Sequence, residues 1–325
     1  MRYLVTGGAG FIGHNVVRHL EAMGHECIII DSVTDYGFVD KDELSYLYSQ
    51  RRSRIRASVH HIDLRDYKAM EDVVRTFSFD ADCVIHLAGF PRQKVFARDP
   101  LVGADVMGPA LMNLLELTKN YKVPKFVYVS SSMVYGNFQD GVRETADCNP
   151  AGQYGIMKLM GEHLVKDYTR RNCFDHVIVR PSAVYGEYDV EDRVVSKFML
   201  AAMRDQTITV RGANESLDFT HVDDVALGIA LATTKPEANG NIYNMTRCAS
   251  KQITLLDAAA LCIKIAGRGK IDIQDKDPDF PSRGRLNIDK AREELGYDPK
   301  INIKEGFKRY HKWFRESAYW STQIK

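Results

Sequence analysis

Along the first half of the chain, short and almost wholly apolar runs alternate with longer stretches in which apolar residues recur every three or four positions. The short runs lie at 3–6, 27–31, 59–63, 83–88, 125–130 and 176–180. Runs apolar on both faces predict parallel strands covered on both sides. The periodic stretches predict helices over 13–23, 67–77, 100–121 and 153–171. In the first, Ile12, Val16, Leu20 and Met23 share a face and Gly24 is a stop signal; the third ends before Pro124. Strands with interposed helices make a doubly wound sheet with right-handed crossovers.

After about residue 182 the rhythm changes. Helices are predicted over 191–204, 223–234, 255–266 and 304–314, with short strands at 207–210, 242–245 and 270–273. Thr220 and Asp223 are spaced as a capping box opening the second of these helices. The expected architecture is therefore α/β: a doubly wound parallel sheet of the Rossmann type over residues 1–180 and a second, smaller α/β substrate domain over 181–325. Segments such as 217–246 are expected to be able to pack back on the first domain. The stretch 32–57 is the longest irregular piece and is expected to be a partly helical surface insertion.

Composition narrows the function classes. The chain has 325 residues, with Lys plus Arg 44 and Asp plus Glu 43, for a net charge of +1. That balance gives no footprint for nucleic acid or a membrane surface. The cysteines, Cys27, Cys83, Cys148, Cys173, Cys248 and Cys262, lie at least 14 residues apart, which excludes CxxC zinc or redox motifs. No metal site is predicted. No apolar run approaches the roughly 18 residues of a membrane span, and the glycine-broken N-terminus lacks a signal-peptide core. A cytoplasmic protein is expected.

Chemistry concentrates where the predicted strands end. Residues 6–13 read TGGAGFIG, so Gly7, Gly10 and Gly13, or Gly8, Gly10 and Gly13, fall in glycine-turn spacings between a strand and a helix. Such a turn lets the backbone approach a pyrophosphate, which the helix N-terminus binds. Asp31 ends the second strand, where a carboxylate accepts from a ribose diol and repels a 2′-phosphate; this favours NAD over NADP. Asp63 and Leu64 could flank an adenine, and Leu87, Ala88 and Gly89 could admit the cofactor backbone. Tyr154 and Lys158 stand four apart near the start of a predicted helix and share a face. Acting as a base at neutral pH requires a phenol to fall by roughly 3 pKa units, about 4 kcal/mol, which Lys158 and an oxidised nicotinamide together would favour. Tyr121 and Lys125 have the same spacing, but Pro124 lies between them. Ser130, Ser131 and Ser132 end the fifth strand, where ligands bind in such sheets.

In order, these segments resemble the extended short-chain dehydrogenase/reductase superfamily, in particular its nucleotide-sugar epimerases. The resemblance spans nearly the whole chain: TGGAGFIG, Asp31, HLAG at 86–89, SSSMVYG at 130–136, Tyr154 with Lys158, RP at 180–181, VYG at 184–186 and DFTHVDD at 218–224. It implies that Tyr154 takes a proton from a sugar hydroxyl, usually at C4, that Ser131, four residues before Tyr135, orients it, and that Lys158 lowers the phenol and binds the nicotinamide ribose. It also implies a cofactor set of Gly7, Gly10, Phe11, Ile12, Gly13, Asp31, Asp63, Leu64, Leu87, Ala88, Gly89, Ser130, Tyr154, Lys158 and Pro181, with NAD as cofactor. Ser131, Ser132, Arg92, Arg211, Arg283 and Arg285 are the substrate-side candidates, with Arg as the natural pyrophosphate clamp.

Branches of the superfamily are separated at two positions. The 4,6-dehydratases carry acids where this chain has Ser132 and Met133, and the 3,5-epimerases carry Cys at the Met133 position. A 4-epimerase working through a transient 4-keto sugar is therefore expected. The alternatives are a 4-dehydrogenase or 4-keto reductase, and a non-catalytic cofactor-bound interaction protein. Leu217, Ala183, Asp105 and the segment Phe90, Pro91, Arg92 depart from the usual pattern on the substrate side. A homodimer is expected through the helices at about 100–121 and 153–171, which carry Leu111, Met112, Leu114, Leu115, Leu159 and Met160 beyond one core stripe.

Overall fold

The computed structural model describes residues 1–324 apart from 38, 77–79, 91 and 279. In chain order the elements are β1 (Arg2–Thr6), α1 (Phe11–Ala22), β2 (Glu26–Ile30), α2 (Lys41–Arg52), β3 (Ser58–His60), α3 (Tyr67–Thr76), β4 (Cys83–His86), α4 (Gln93–Arg98), α5 (Pro100–Met107), α6 (Pro109–Asn120), β5 (Lys125–Val129), α7 (Gln153–Arg170), β6 (Asp175–Pro181), β7 (Val184–Tyr185), α8 (Val194–Met203), β8 (Thr207–Arg211), β9 (Thr220–His221), α9 (Val222–Thr234), β10 (Asn241–Met245), α10 (Leu255–Ala266), β11 (Lys270–Gln274), α11 (Asp289–Leu295) and α12 (Ile303–Glu316).

Among the described residues seven strands form one sheet in the order β10-β6-β5-β4-β1-β2-β3. Every neighbouring pair is parallel. Both faces are covered. Tyr3, Val5, Ile29, Val127 and Val179 pack with α1, α9 and α11, while Leu4, Ile28, Val84, Phe126 and Ile178 pack with α3, α6 and α7. The register aligns the strand ends, with Thr6 opposite both Ile30 and His86. The chain runs outward from β1 to β3, then returns to the other side of β1 as β4. That reversal opens a crevice at the carboxyl edge, where ligands bind in doubly wound sheets.

Several expectations are refined. β2, β3, β4 and β5 stop short of their predicted ends, because Asp31, His61, Ile62, Asp63, Leu87, Ala88 and Ser130 already turn into the loops at that edge. The expected helix over 100–121 is two, broken at Gly108 and Pro109: proline has no N–H to donate and begins a new helix instead. Position 77, the expected end of α3, lies outside the described residues. Thr220 is not a cap, since it sits in β9 and donates to the Asp218 carbonyl. The α9 cap is His221, whose ring nitrogen accepts from Asp223 N–H, and the true capping box is Thr254 with Asp257.

Two long-range placements follow from packing rather than local pattern. β10 joins the main sheet beside β6, although it follows most of the second-half elements in the chain. The stretch 32–57 contains α2, capped by Asp40, and α2 clasps the two halves together. Arg51 donates to the Tyr188 carbonyl, and Glu43 accepts from Glu191 N–H. A separate core of Leu200, Val210, Cys262, Phe307 and Phe314 holds α8, α10 and α12. No helix among the described residues is long and apolar enough to cross a membrane.

Candidate active site

The glycine turn follows β1 directly. Gly7 has φ +73°, and a Cβ there would stand 2.5 Å from Ala88 N, so this turn must cross the β4 loop without a side chain. A Cβ on Gly13 would stand 2.1 Å from Gly7 O, so α1 can seat on the turn only as glycine. A Cβ on Gly8 would stand 2.7 Å from Ile29 Cγ1, so both spacings legible in the sequence fall on crowded positions, and only Gly7 adds a positive φ. A Cβ on Gly10 would meet only Gly7 O, at 3.1 Å. The turn is therefore open above the first N–H groups of α1, those of Phe11 and Ile12, which have no intrahelical partner. A pyrophosphate fits that cradle in shape and charge.

Asp31 accepts from Ala9 N–H at 3.0 Å and from Val33 N–H at 2.9 Å. Burial raises its carboxyl and those two bonds oppose the rise. Arg51 brings positive charge toward Asp31, but its guanidinium is committed to the Tyr188 carbonyl. Asp63 is held by Arg65, which also bridges to Asp105. Leu64 is buried and its carbonyl accepts from Asn113. Asp63, Arg65, Tyr36, Phe90 and Val102 line one cleft of about 220 Å³ beside Asp99. Leu87 and Ala88 N–H both donate to the Thr6 carbonyl, which fixes the β4 loop against the glycine turn. Pro181 is buried at the end of β6.

Tyr154 and Lys158 lie on the first turns of α7, with Lys158 Nζ 5.9 Å from the Tyr154 ring centroid. Nζ donates to the Val129 carbonyl at 2.8 Å. The Ser131 hydroxyl, which accepts from Met133 N–H at 3.2 Å, lies beside the Tyr154 phenol and acts to lower it. Three of the sequence-selected residues therefore meet at the carboxyl edge of β5. Within the chain, however, the phenol is raised rather than lowered, because its burial outweighs the Arg193 charge and the neighbouring Ser131 hydroxyl. Burial also pushes Lys158 down to about 8, opposed by Glu162.

Glu162 was not singled out from sequence, although it continues the spacing of four from Tyr154 through Lys158. Its carboxylate accepts from Ser130 Oγ at 2.6 Å and from Arg180 Nε and Nη2 at 2.8 and 2.6 Å. The pair is buried, with side-chain exposures of 3% and 0%. The Ser130 hydroxyl is therefore engaged below the site. Arg193 has a buried Nε that makes no hydrogen bond among the described residues and stands 3.8 Å from Asp189 Oδ1, and no local sequence pattern marks it.

The substrate-side candidates separate. Ser132 turns inward, 1% exposed, and donates to Ser182. Arg92 is bound to the Asp192 carbonyl and carboxylate, and its neighbour Pro91 lies outside the described residues. Arg211 is exposed on β8 beside Gln274. Arg285 is pinned by Asp140 and by the carbonyls of Ala249 and Ser250. Arg283 is different: among the described residues its buried Nε has no hydrogen-bond partner, and Nη1 donates to Met133 Sδ at 3.7 Å. Burial pushes it down to about 10, with Glu215 opposing.

The fold and this arrangement define the class of doubly wound α/β enzymes that work with a dinucleotide. The comparisons with known proteins agree. The chain belongs to the NAD dependent epimerase/dehydratase family, whose pattern matches residues 3–246. It is similar to the UDP-glucose 4-epimerase of Thermus thermophilus solved with NAD, at 27% identity and TM-score 0.85, covering 98% of this chain and 100% of that one. It is also similar to the UDP-glucuronic acid 4-epimerase of Bacillus cereus solved with UDP-glucuronic acid and NAD, at 25% identity and TM-score 0.87, covering 96% and 98%. A dTDP-glucose 4,6-dehydratase of Streptomyces niveus is 27% identical over 338 residues, covering 100% of this chain and 96% of its own.

Proposed function

We propose that this chain binds NAD and epimerises a nucleotide sugar at C4 through a transient 4-keto intermediate. The observation that carries this reading is the placement of the Tyr154 phenol beside both Ser131 and Lys158, next to a turn, Ser132–Tyr135, that bears no carboxyl group. The turn supports an epimerase over a 4,6-dehydratase, because water elimination needs an acid that Ser132 and Met133 cannot supply.

The N–H groups of Phe11 and Ile12 hold the cofactor pyrophosphate, Asp31 the adenosine ribose, and Lys158 the nicotinamide ribose. NAD, when bound, supplies a hydride acceptor and a positive ring. Ser131 donates to or accepts from the sugar O4 and aligns it with the phenol. Tyr154 breaks the O4–H bond by taking the proton, and returns it when the C4 carbonyl is reduced. Lys158 stabilises the phenolate during that interval. Arg283 clamps the substrate pyrophosphate. In this reading residues 1–180 serve the cofactor and 181–325 select the sugar nucleotide.

A homodimer is part of the proposal, on altered grounds. Leu111, Leu114 and Leu115 are core residues, and Leu159 and Met160 are half-buried. Of the residues expected on this face Met112 on α6 is exposed, and Leu101 on α5 and Ile156 on α7 are exposed with it.

The test is NMR of the protein with NAD⁺ and a panel of UDP-, dTDP-, GDP- and CDP-sugars. UDP-glucuronic acid belongs in it because Arg193 adds positive charge beside Tyr154. The expected result is interconversion of one sugar and its C4 epimer with no net NADH, reduced by a factor of about 10²–10⁴ in Tyr154→Phe. Stoichiometric NADH would select the dehydrogenase reading, and undiminished activity in Tyr154→Phe would remove Tyr154 from the mechanism.

A further inference from the structure

We infer that Gln93 is a positioning residue for Tyr154, supplying from α4 the N-terminal cap that the catalytic helix α7 cannot supply for itself. The inference rests on the reading of Tyr154 as the proton acceptor. A helix begins with N–H groups that lack partners, and a Ser, Thr, Asp or Asn at the cap position ordinarily accepts from one of them. The cap of α7 is Gly152, which makes no side-chain bond. The acceptor comes instead from 61 residues upstream: Gln93 Oε1 takes the Tyr154 N–H at 3.0 Å. The bond therefore ends on the backbone of the very residue whose phenol lies beside Ser131 and Lys158.

Two further observations show that the arrangement is built in. The Gln93 amide lies flat over Gly152, where a Cβ would stand 2.5 Å from Nε2 and 2.6 Å from Oε1. Gly152 is thus required by the borrowed cap. Gln93 is itself the first residue of α4, and the preceding residue, Arg92, is fastened to Asp192 ahead of α8. The start of α4 is held between the catalytic helix and the second half of the chain. A slack first turn would let the Tyr154 phenol drift from Ser131 and from the Lys158 ammonium, and proton transfer is steeply sensitive to such drift.

The test compares wild type, Gln93→Leu, Gln93→Glu and Gly152→Ala as full chains with NAD⁺, using UDP-glucose and UDP-glucuronic acid as probes. Hydrogen exchange at the Tyr154 amide is measured on the same samples. Gln93→Leu is expected to lower kcat about ten- to hundredfold, with KM changed less than about twofold, and to speed exchange at Tyr154. Gly152→Ala, which displaces the Gln93 amide, is expected to do the same. Gln93→Glu keeps the acceptor and should restore both readouts toward wild type. The inference is overturned if Tyr154 exchange is unchanged in Gln93→Leu, if the loss falls on KM, or if Gln93→Glu is as slow as Gln93→Leu. A Tyr154→Phe control that retains full activity would instead overturn the proton-acceptor reading, whatever the Gln93 variants do.

Discussion

Replacing Arg283 should strengthen the fold while weakening ligand binding, a pair of signs that a purely structural arginine would not produce. Arg283 sits under the site with its Nε unpartnered among the described residues, and burial pushes it down to about 10. At about 1.4 kcal/mol per pKa unit, its charge is roughly 3 kcal/mol less stable in the fold than in the unfolded chain. The group is protonated in both states at neutral pH, so this cost is fully present there and disappears only at strongly alkaline pH. Arg283→Met keeps most of the aliphatic stem and removes the charge. Allowing for lost packing, the ligand-free protein is expected to gain about 1–3 kcal/mol. If Arg283 clamps a pyrophosphate, the same change removes a charge-assisted bond of about 1.5–3 kcal/mol and weakens UDP binding about 10- to 150-fold. Urea unfolding at pH 7 without ligand and calorimetric titration with UDP measure the two effects. A variant less stable than wild type that binds UDP equally well would refute the argument on both counts.

Four other outcomes are expected. Activity should fall as pH rises through about 8, where Lys158 loses its proton; Glu162→Gln removes the charge opposing that loss, so its kcat–pH profile should fall at lower pH. Because Glu162→Gln also leaves Arg180 buried without its counter-charge, it should cost about 3–5 kcal/mol in urea unfolding. Gly13→Ala would place a Cβ 2.1 Å from Gly7 O, so fluorescence titration should show NAD affinity reduced at least about tenfold, as expected when a glycine that permits close backbone approach is lost. Ile156→Glu, at a residue 51% exposed on α7, should convert a dimer to a monomer by light scattering; an unchanged dimer would move the interface elsewhere.

The periodicity of the chain was enough for the parallel sheet, most of its helices, the glycine turn and the Tyr154–Lys158 pair, because each of these is decided by residues adjacent in sequence or one helical turn apart. Strand ends were legible only to within a few residues: Asp31 and Ser130 continue an apolar run yet already belong to the site loops. What a side chain does across the fold was not legible. Arg283 and Arg285 are two positions apart and equal as sequence candidates. Packing gives Asp140 and two carbonyls to Arg285 and leaves Arg283 beside Met133. Ser130, Ser131 and Ser132 likewise look interchangeable along the strand end. Glu162 engages the first and Ser182 the third, whereas the second accepts from Met133 N–H and lies beside the Tyr154 phenol with its own proton free to donate. The sequence by itself determined which segments are strands and helices and which residue types stand at the carboxyl edge, because those follow from local backbone preference and periodic burial. Only the tertiary structure decided which hydroxyl and which guanidinium remain free for a ligand, because a buried polar group takes whatever partner packing brings within reach, and those partners lie tens to hundreds of residues away.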